Sequence, residues 1–381
     1  MLTLLHSADW QIGKPFGRFD PEEAVLLAQA RIDAVATLAR LGVQHQVDAI
    51  LVAGDVFDAQ TVSDKTIRRL FGAMAGFEGP WVMIPGNHDA ALAESVWTRA
   101  ARMNALPANL ILCTRSEVVL LDDMQLALLP APLTQRHTFK DLSCWFDEAT
   151  PPTGYYRVGL AHGSVEGILD EDIDSPNPIA ADRAERAHLD YLALGDWHGQ
   201  KQITPRCWYS GTPEPDRFRQ NESGSALLIE LDAPDAQPRV TPLPTARYRW
   251  RQHHQELRID SDVIQLRQWL GELDDKDVVD LSLAGSIDLA HHQQLDEMLS
   301  QAQGRARSLF IDRQALRVTP SEAELESLSG QGYVGDVIQE LREQQHAGNH
   351  AEDRQAAQDA LVLLADMLQL EASSAEEVSS S

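Results

Sequence analysis

Cysteine is scarce. There are three in 381 residues (Cys113, Cys144 and Cys207), odd in number and far apart. This excludes a disulfide framework and a thiolate metal knuckle. No apolar run approaches the roughly 18 residues that cross a bilayer. Met1 to Ala8 lacks the basic flank, long apolar stretch and small-residue cleavage site of a signal peptide. A cytoplasmic protein without membrane contact is therefore expected. Positive charge is also short: 32 Lys and Arg face 58 Asp and Glu, a net charge of −26. A field of that sign repels polyphosphate. A nucleic-acid substrate would need a local basic patch, bound metal ions or a partner protein.

What is present is globular. Apolar residues make up 43% and charged residues 24%, which excludes a disordered or fibrous chain. The length accommodates two or three domains. Over the first 230 or so residues, short apolar runs alternate with polar helical stretches. Leu2 to His6, Ala49 to Ala53 (AILVA), Trp81 to Ile84 (WVMI), Leu110 to Leu112, Val118 to Leu121, Leu126 to Leu129, Val158 to Ala161 and Tyr191 to Leu194 read as strands. Ala24 to Leu41 and Lys65 to Phe77 read as helices. Strand, crossover, strand marks a layered α/β domain. A Pro-rich stretch at 232–246 reads as a domain boundary. Beyond it a strand (Tyr248 to Ile259), a helix (Val263 to Leu273), a strand (Val278 to Leu283), a helix (Leu289 to Gln301) and a strand (Ser308 to Arg317) suggest a small α+β domain. From Ser321 onward the chain carries 13 acidic and 2 basic residues. Tyr333 to Gln345 and Gln355 to Leu370 are helix candidates there. The expected division is 1–240, 241–320, a helical region 321–371 and a disordered tail 372–381.

The strand ends are the most informative feature. The first strand runs into Asp9, with Gln11 beside it. The second runs into Gly54-Asp55, and the third into Gly86-Asn87-His88-Asp89. Later ones run into His162 and into Gly195-Asp196-Trp197-His198. Ligands of open α/β sheets gather at the carboxyl ends of strands. Oxygen and imidazole groups without thiolate suit Mn²⁺ or Mg²⁺, and also Fe²⁺ or Zn²⁺. Seven candidates exceed one ion's needs, whereas two ions about 3.5–4 Å apart would use them all. Asp55, central on a strand end, is the natural bridge. A lone Asp after a strand is more often a cap or turn residue, so the argument rests on five ends together. Asp58 reads equally as a partner of the site or as a helix cap, and His6, inside a strand, as a core histidine.

The ordered segments LLHSADWQIG (Leu4 to Gly13), GDVFD (Gly54 to Asp58), PGNHD (Pro85 to Asp89), AHGS (Ala161 to Ser164), LALGDWHG (Leu192 to Gly199) and YSGTPEP (Tyr209 to Pro215) resemble the motifs of calcineurin-like metallophosphoesterases. More narrowly they resemble the SbcD-type DNA repair exonuclease subunits and their YhaO-type relatives. The resemblance covers about 1–230 by motif and extends to about 320 by the layout of a capping domain. It implies a four-layer α/β/β/α sandwich with two divalent metals, usually Mn²⁺. One metal would be held by Asp9, Asp55, His198 and the position of Gln11. The other would be held by Asp55, Asn87, His162 and the position of Asp196. His88 would face the scissile phosphate, oriented by Asp89.

Two positions depart from the family. Gln11 stands where a His is usual, and Asp196 stands in place of the first His of Gly-His-x-His. The first departure weakens one metal site and the second hardens the other. The implied activity is a DNA phosphodiesterase, exo- or endonucleolytic, the nuclease subunit of an SbcCD-like or YhaO/YhaN-like complex. The alternatives are a metal-poor scaffold binding DNA or an ATPase without cutting, and a phosphodiesterase for small phosphate esters. The resemblance further implies a homodimer and an ABC-type, SMC-like ATPase bound through the C-terminal helices. Arg247, Arg249 and Arg251 alternate along one strand, as either a phosphate track or a solvated face. Arg136, His137 and Lys140 form a second basic group on a loop. Trp10 and Trp197 flank the metal motifs, and packing is the simpler role for both.

Overall fold

Continuous apolar runs this short bury both faces of a strand, and the computed structural model places them at the centre of two stacked sheets. It describes residues 1–167, 177–218, 221–319, 321, 333–347 and 352–364. The first sheet has the order β14 (Arg239–Pro244), β13 (Ser225–Leu231), β1 (Leu2–Ser7), β2 (Ala49–Ala53), β3 (Trp81–Ile84), β4 (Leu110–Leu112). Strands β1 to β4 run parallel, while β13 is antiparallel to both β1 and β14. The second sheet has the order β11 (Lys201–Thr204), β12 (Cys207–Tyr209), β10 (Tyr191–Gly195), β7 (Tyr156–His162), β6 (Leu126–Ala131), β5 (Val119–Leu121). Its central strands β12, β10, β7 and β6 are parallel. A two-stranded pair, β8 (Ser164–Val165) and β9 (Pro178–Ile179), lies beside it.

Period-two alternation divides the core. Ile50, Val52, Trp81 and Met83 pack under Ile32, Val35 and Leu38 of α1 (Pro21–Gln44), Ile67 and Leu70 of α2 (Asp64–Ala73), and Val96 and Trp97 of α3 (Val96–Arg102). The intervening Ala49, Leu51, Ala53, Val82 and Ile84 face the other sheet's Leu126, Leu128, Val158, Leu160, Tyr191 and Ala193. On the far face, Ala127, Leu129, Leu192 and Leu194 pack with Phe146 and with Ala184 of α4 (Arg183–Arg186). The result is the four-layer α/β/β/α sandwich expected from sequence. The helix starts are capped locally. Ser63 Oγ accepts from Thr66 N, and Ser95 and Thr98 form a reciprocal capping box.

The chain divides into two compact units, Met1–Trp250 and Arg251–Ser381. The boundary read at 240/241 is thus displaced. The Pro-rich stretch supplies β14, an edge strand pairing Pro242 with Leu227 and Pro244 with Ser225. Proline is tolerated there because an edge strand leaves one row of backbone groups unpaired. In the second unit, β15 (Arg249–Leu257), β16 (Asp277–Ile287) and β17 (Ser308–Val318) form a sheet in that order. α5 (Asp260–Gly271) and α6 (Leu289–Arg305) cover it through Val263, Leu266, Leu295 and Leu299. Further on lie α7 (Tyr333–Ala347) and a helical segment at 352–364, joined by Ile338 and Leu361. The expected tail 372–381 lies outside the described residues. No helix among the described residues is long and apolar enough to cross a membrane.

Candidate metal centre

Strands β1, β2 and β3 end on one edge of the first sheet and β7 and β10 on one edge of the second. Directly after them the chain takes left-handed backbone at Asp9, Gln11, Asp55 and Asp196 (φ 55°, 46°, 53° and 102°). Such conformations cost about 1–3 kcal/mol for residues other than glycine and cluster at functional sites. Two glycines admit the close approach. A Cβ on Gly54 would stand 2.3 Å from His162 Nδ1, and one on Gly86 would stand 2.2 Å from Asp55 Oδ1.

These turns gather Asp9, Asp55 and His162, all buried, so that a ligand atom of each lies within 4.8 Å of the others. His162 Nδ1 donates to the Ala53 carbonyl at 2.8 Å. A neutral ring therefore turns its Nε2 lone pair toward Asn87 Oδ1 at 2.8 Å, Asp55 Oδ1 at 3.5 Å and Asp196 Oδ1 at 3.7 Å. All three are acceptors, so the set needs either a proton on Nε2 or a cation among them. Burial lowers the affinity of His162 for a proton, but Asp55, Asp196 and Asp9 outweigh it and push its pKa up to about 9. Burial likewise pushes Asp196 up to about 7, and its Oδ2 is buried without a hydrogen-bond partner. The donor set and this orphaned oxygen fit a divalent cation among Asp55, Asn87, His162 and Asp196.

The other half is arranged differently. The Asp9 carboxylate accepts from Asp196 N at 3.0 and 3.2 Å. Gln11 presents a donor, its Nε2 bonding Asp55 Oδ2 at 2.7 Å. His198 stands at the rim. Its Nδ1 lies 3.2 and 3.1 Å from the two Asp216 oxygens, and Arg217 Nη2 lies 3.0 and 3.3 Å from its two ring nitrogens. Asp216 also pairs with Lys14 at 2.6 Å. Burial opposes its ionisation, but His198, Arg31 and Arg217 hold its carboxyl well below the usual range.

His88 is partly exposed. Its Nδ1 donates to the Asp58 carbonyl at 2.7 Å, and its Nε2 lies 4.0 Å from Asp55 Oδ2. Thus Asp58 acts on the site through its backbone. The expectation that Asp89 orients His88 is corrected. Asp89 is fully buried and accepts from the backbone N–H of Gly86, Val56 and Phe57, clamping the two motif loops together. An open cleft of about 220 Å³ beside the cluster is lined by Asp58, Gln60, Asn87, His88, Leu92 and Arg136.

Several contributors escaped sequence reading. Arg31 is buried and donates to the carbonyls of Asp9, Trp10 and Glu214 and to Thr212 Oγ1. A charge at position 31 between Leu27 and Val35, on the apolar face of α1, was its signal. Asp216 and Arg217 directly follow the Tyr209 to Pro215 segment. Arg247 pairs with Asp33 at 3.3 Å, and Arg251 pairs with Asp277 at 3.7 Å and stacks on Trp269. A phosphate would have to displace these partners, while Arg249 also has interactions of its own. Trp10 is buried against Trp81, a packing role. His6 is buried, with Nδ1 2.9 Å from the Tyr191 hydroxyl.

Residues 2–229 match the calcineurin-like phosphoesterase family, and the chain belongs to it: a family of metal-using hydrolases of phosphate esters. Over 95 residues the chain is 39% identical to the D subunit of the nuclease SbcCD from Rhodobacter capsulatus, covering 24% of this chain and 22% of that protein. Over 240 residues it is 22% identical to the uncharacterized metallophosphoesterase YhaO of Bacillus subtilis, covering 60% and 57%. The chain therefore spans less than two thirds of either curated relative. A crystal structure of the protein TT1561 of Thermus thermophilus aligns with a TM-score of 0.41 at 12% identity, covering 64% of this chain and 99% of that one.

Proposed function

We propose that the protein is a divalent-metal-dependent DNA phosphodiesterase, the nuclease subunit of an SbcCD-like or YhaO/YhaN-like complex in DNA repair or processing. The observation that carries the metal chemistry is the acceptor-only cluster around His162, with Asp196 Oδ2 lacking a partner. The DNA assignment is supported by the name of the Rhodobacter relative. Asp55, Asn87, His162 and Asp196 would hold one ion, and Asp9, Asp55, His198 and Gln11 a second. Such ions, Mn²⁺ first and Mg²⁺ or Fe²⁺ in its place, lower the pKa of a water and offset charge gathering on the phosphoryl oxygens.

The chain's own groups do the rest. The Asp58 carbonyl accepts from His88 Nδ1–H and fixes the ring, so that Nε2, in the imidazolium form, would give its proton to the leaving oxygen and return as a lone pair while Nδ1 keeps its hydrogen. Asp89 holds the loops that carry Asp55 and His88 in register. Arg31 and Asp216 hold the first-strand loop and His198. In the second unit, α7 and the segment 352–364 are proposed to dock an ABC-type ATPase, with a homodimer as the working assembly in the cytoplasm. A second reading, a scaffold that binds DNA or the ATPase without cutting, is favoured by Gln11, whose amide donates where a ligand is needed.

The test is cleavage of end-labelled linear and of circular single-stranded DNA in Mn²⁺, wild type beside Asp55→Asn. Cutting by the wild type alone is expected. No cutting by either, with or without the ATPase, would leave the scaffold reading standing.

A further inference from the structure

The site's cleft has one wall that the metal chemistry does not use. Residues 134–140 leave the end of β6 as a loop whose root is bonded to both sides of the Gly86–Asp89 segment. Leu133 N donates to the Pro85 carbonyl at 3.1 Å, and Ala91 N donates to the Leu133 carbonyl at 2.8 Å. The loop is braced from within at Thr138. Its backbone N donates to Asn177 Oδ1 at 2.8 Å, and its Oγ1 accepts from Lys140 N at 3.1 Å. Asn177 also donates to the Arg136 carbonyl. On this rigid support Phe139 stands 88% exposed, the most exposed large apolar side chain among the described residues.

Exposed Arg136, which lines the cleft together with His88, and exposed Lys140 flank it. Among the described residues neither cation forms an ion pair. Three residues of chain put Phe139 within about 11 Å of Arg136. A braced loop holding out one aromatic ring between cations, in a chain of net charge −26, matches a strand with unpaired bases. The ring offers a stacking face, and the cations meet phosphates.

We propose that the 134–140 loop guides a single-stranded segment of DNA into the cleft. Phe139 stacks on an unpaired base next to the scissile phosphate, and Arg136 and Lys140 contact the flanking phosphates. This rests on the DNA reading above and narrows it to unpaired strands or frayed ends. Phe139 is a positioning residue that touches no reacting atom.

The experiment uses the full chain in Mn²⁺ with two substrates, a labelled single-stranded oligonucleotide and bis(p-nitrophenyl) phosphate. Phe139→Ala is expected to raise KM for the oligonucleotide about 10-fold at near-constant kcat, the order expected when one base–aromatic stack is lost. Phe139→Trp restores KM, and the small ester is hydrolysed alike by all three proteins. An unchanged oligonucleotide KM in Phe139→Ala overturns the loop assignment and leaves the DNA reading intact. An equal loss on both substrates also overturns it. Wild-type hydrolysis of the ester but of no DNA overturns the DNA reading, and the loop assignment with it.

Discussion

Gln11 and Asp196 set the two halves of the centre apart. Asp196 adds a carboxylate oxygen that lies buried without a hydrogen-bond partner, so on the proposed assignment its half would offer a hard cation one more oxygen ligand. Gln11 directs an N–H at Asp55 Oδ2, and a ligating oxygen there requires the amide to turn and that hydrogen bond to break. Manganese binding is therefore expected in two steps, one tight ion and one at least about 10-fold weaker, the cost of about one such hydrogen bond. Gln11→His should bring the second step close to the first in a calorimetric titration. A variant titrating like the wild type would show that position 11 does not govern the weak site. The residue departures themselves were legible, because they interrupt an otherwise matching spelling. Their partners were not. Arg31, Asp216 and Arg217 meet the site only through folding, across 22, 18 and 19 residues of chain.

Among the elements, runs such as AILVA and WVMI were readable as central strands because both of their faces are buried. The alternation within them is now seen to serve two different cores, one under the helices and one between the sheets. Leu51 belongs to the layer between sheets and is fully buried. Leu51→Ala should cost about 2–5 kcal/mol through lost burial and a residual cavity, read by denaturant unfolding of the metal-free protein. A loss below about 1 kcal/mol would mean that the sheets close over the gap. β14 was missed for a physical reason: its prolines, Pro242 and Pro244, argue against a central strand but are admissible on an edge. β14 extends the first sheet where a linker was expected.

For the whole molecule, the acidity and the proposed substrate are reconciled locally. Two carboxylates, Asp9 and Asp55, converge with His162 at the strand ends, where bound divalent cations would convert repulsion into binding. Arg136 lines the adjoining cleft and Lys140 stands on the same loop, neither in an ion pair among the described residues. The most direct measurement is the manganese content of the purified full chain after loading and gel filtration, beside Asp55→Asn. At least one retained equivalent in the wild type, and essentially none in Asp55→Asn at preserved secondary structure, is the predicted result. A wild type that retains no ion, or a variant that retains as much, would contradict the assignment of this cluster as the metal centre.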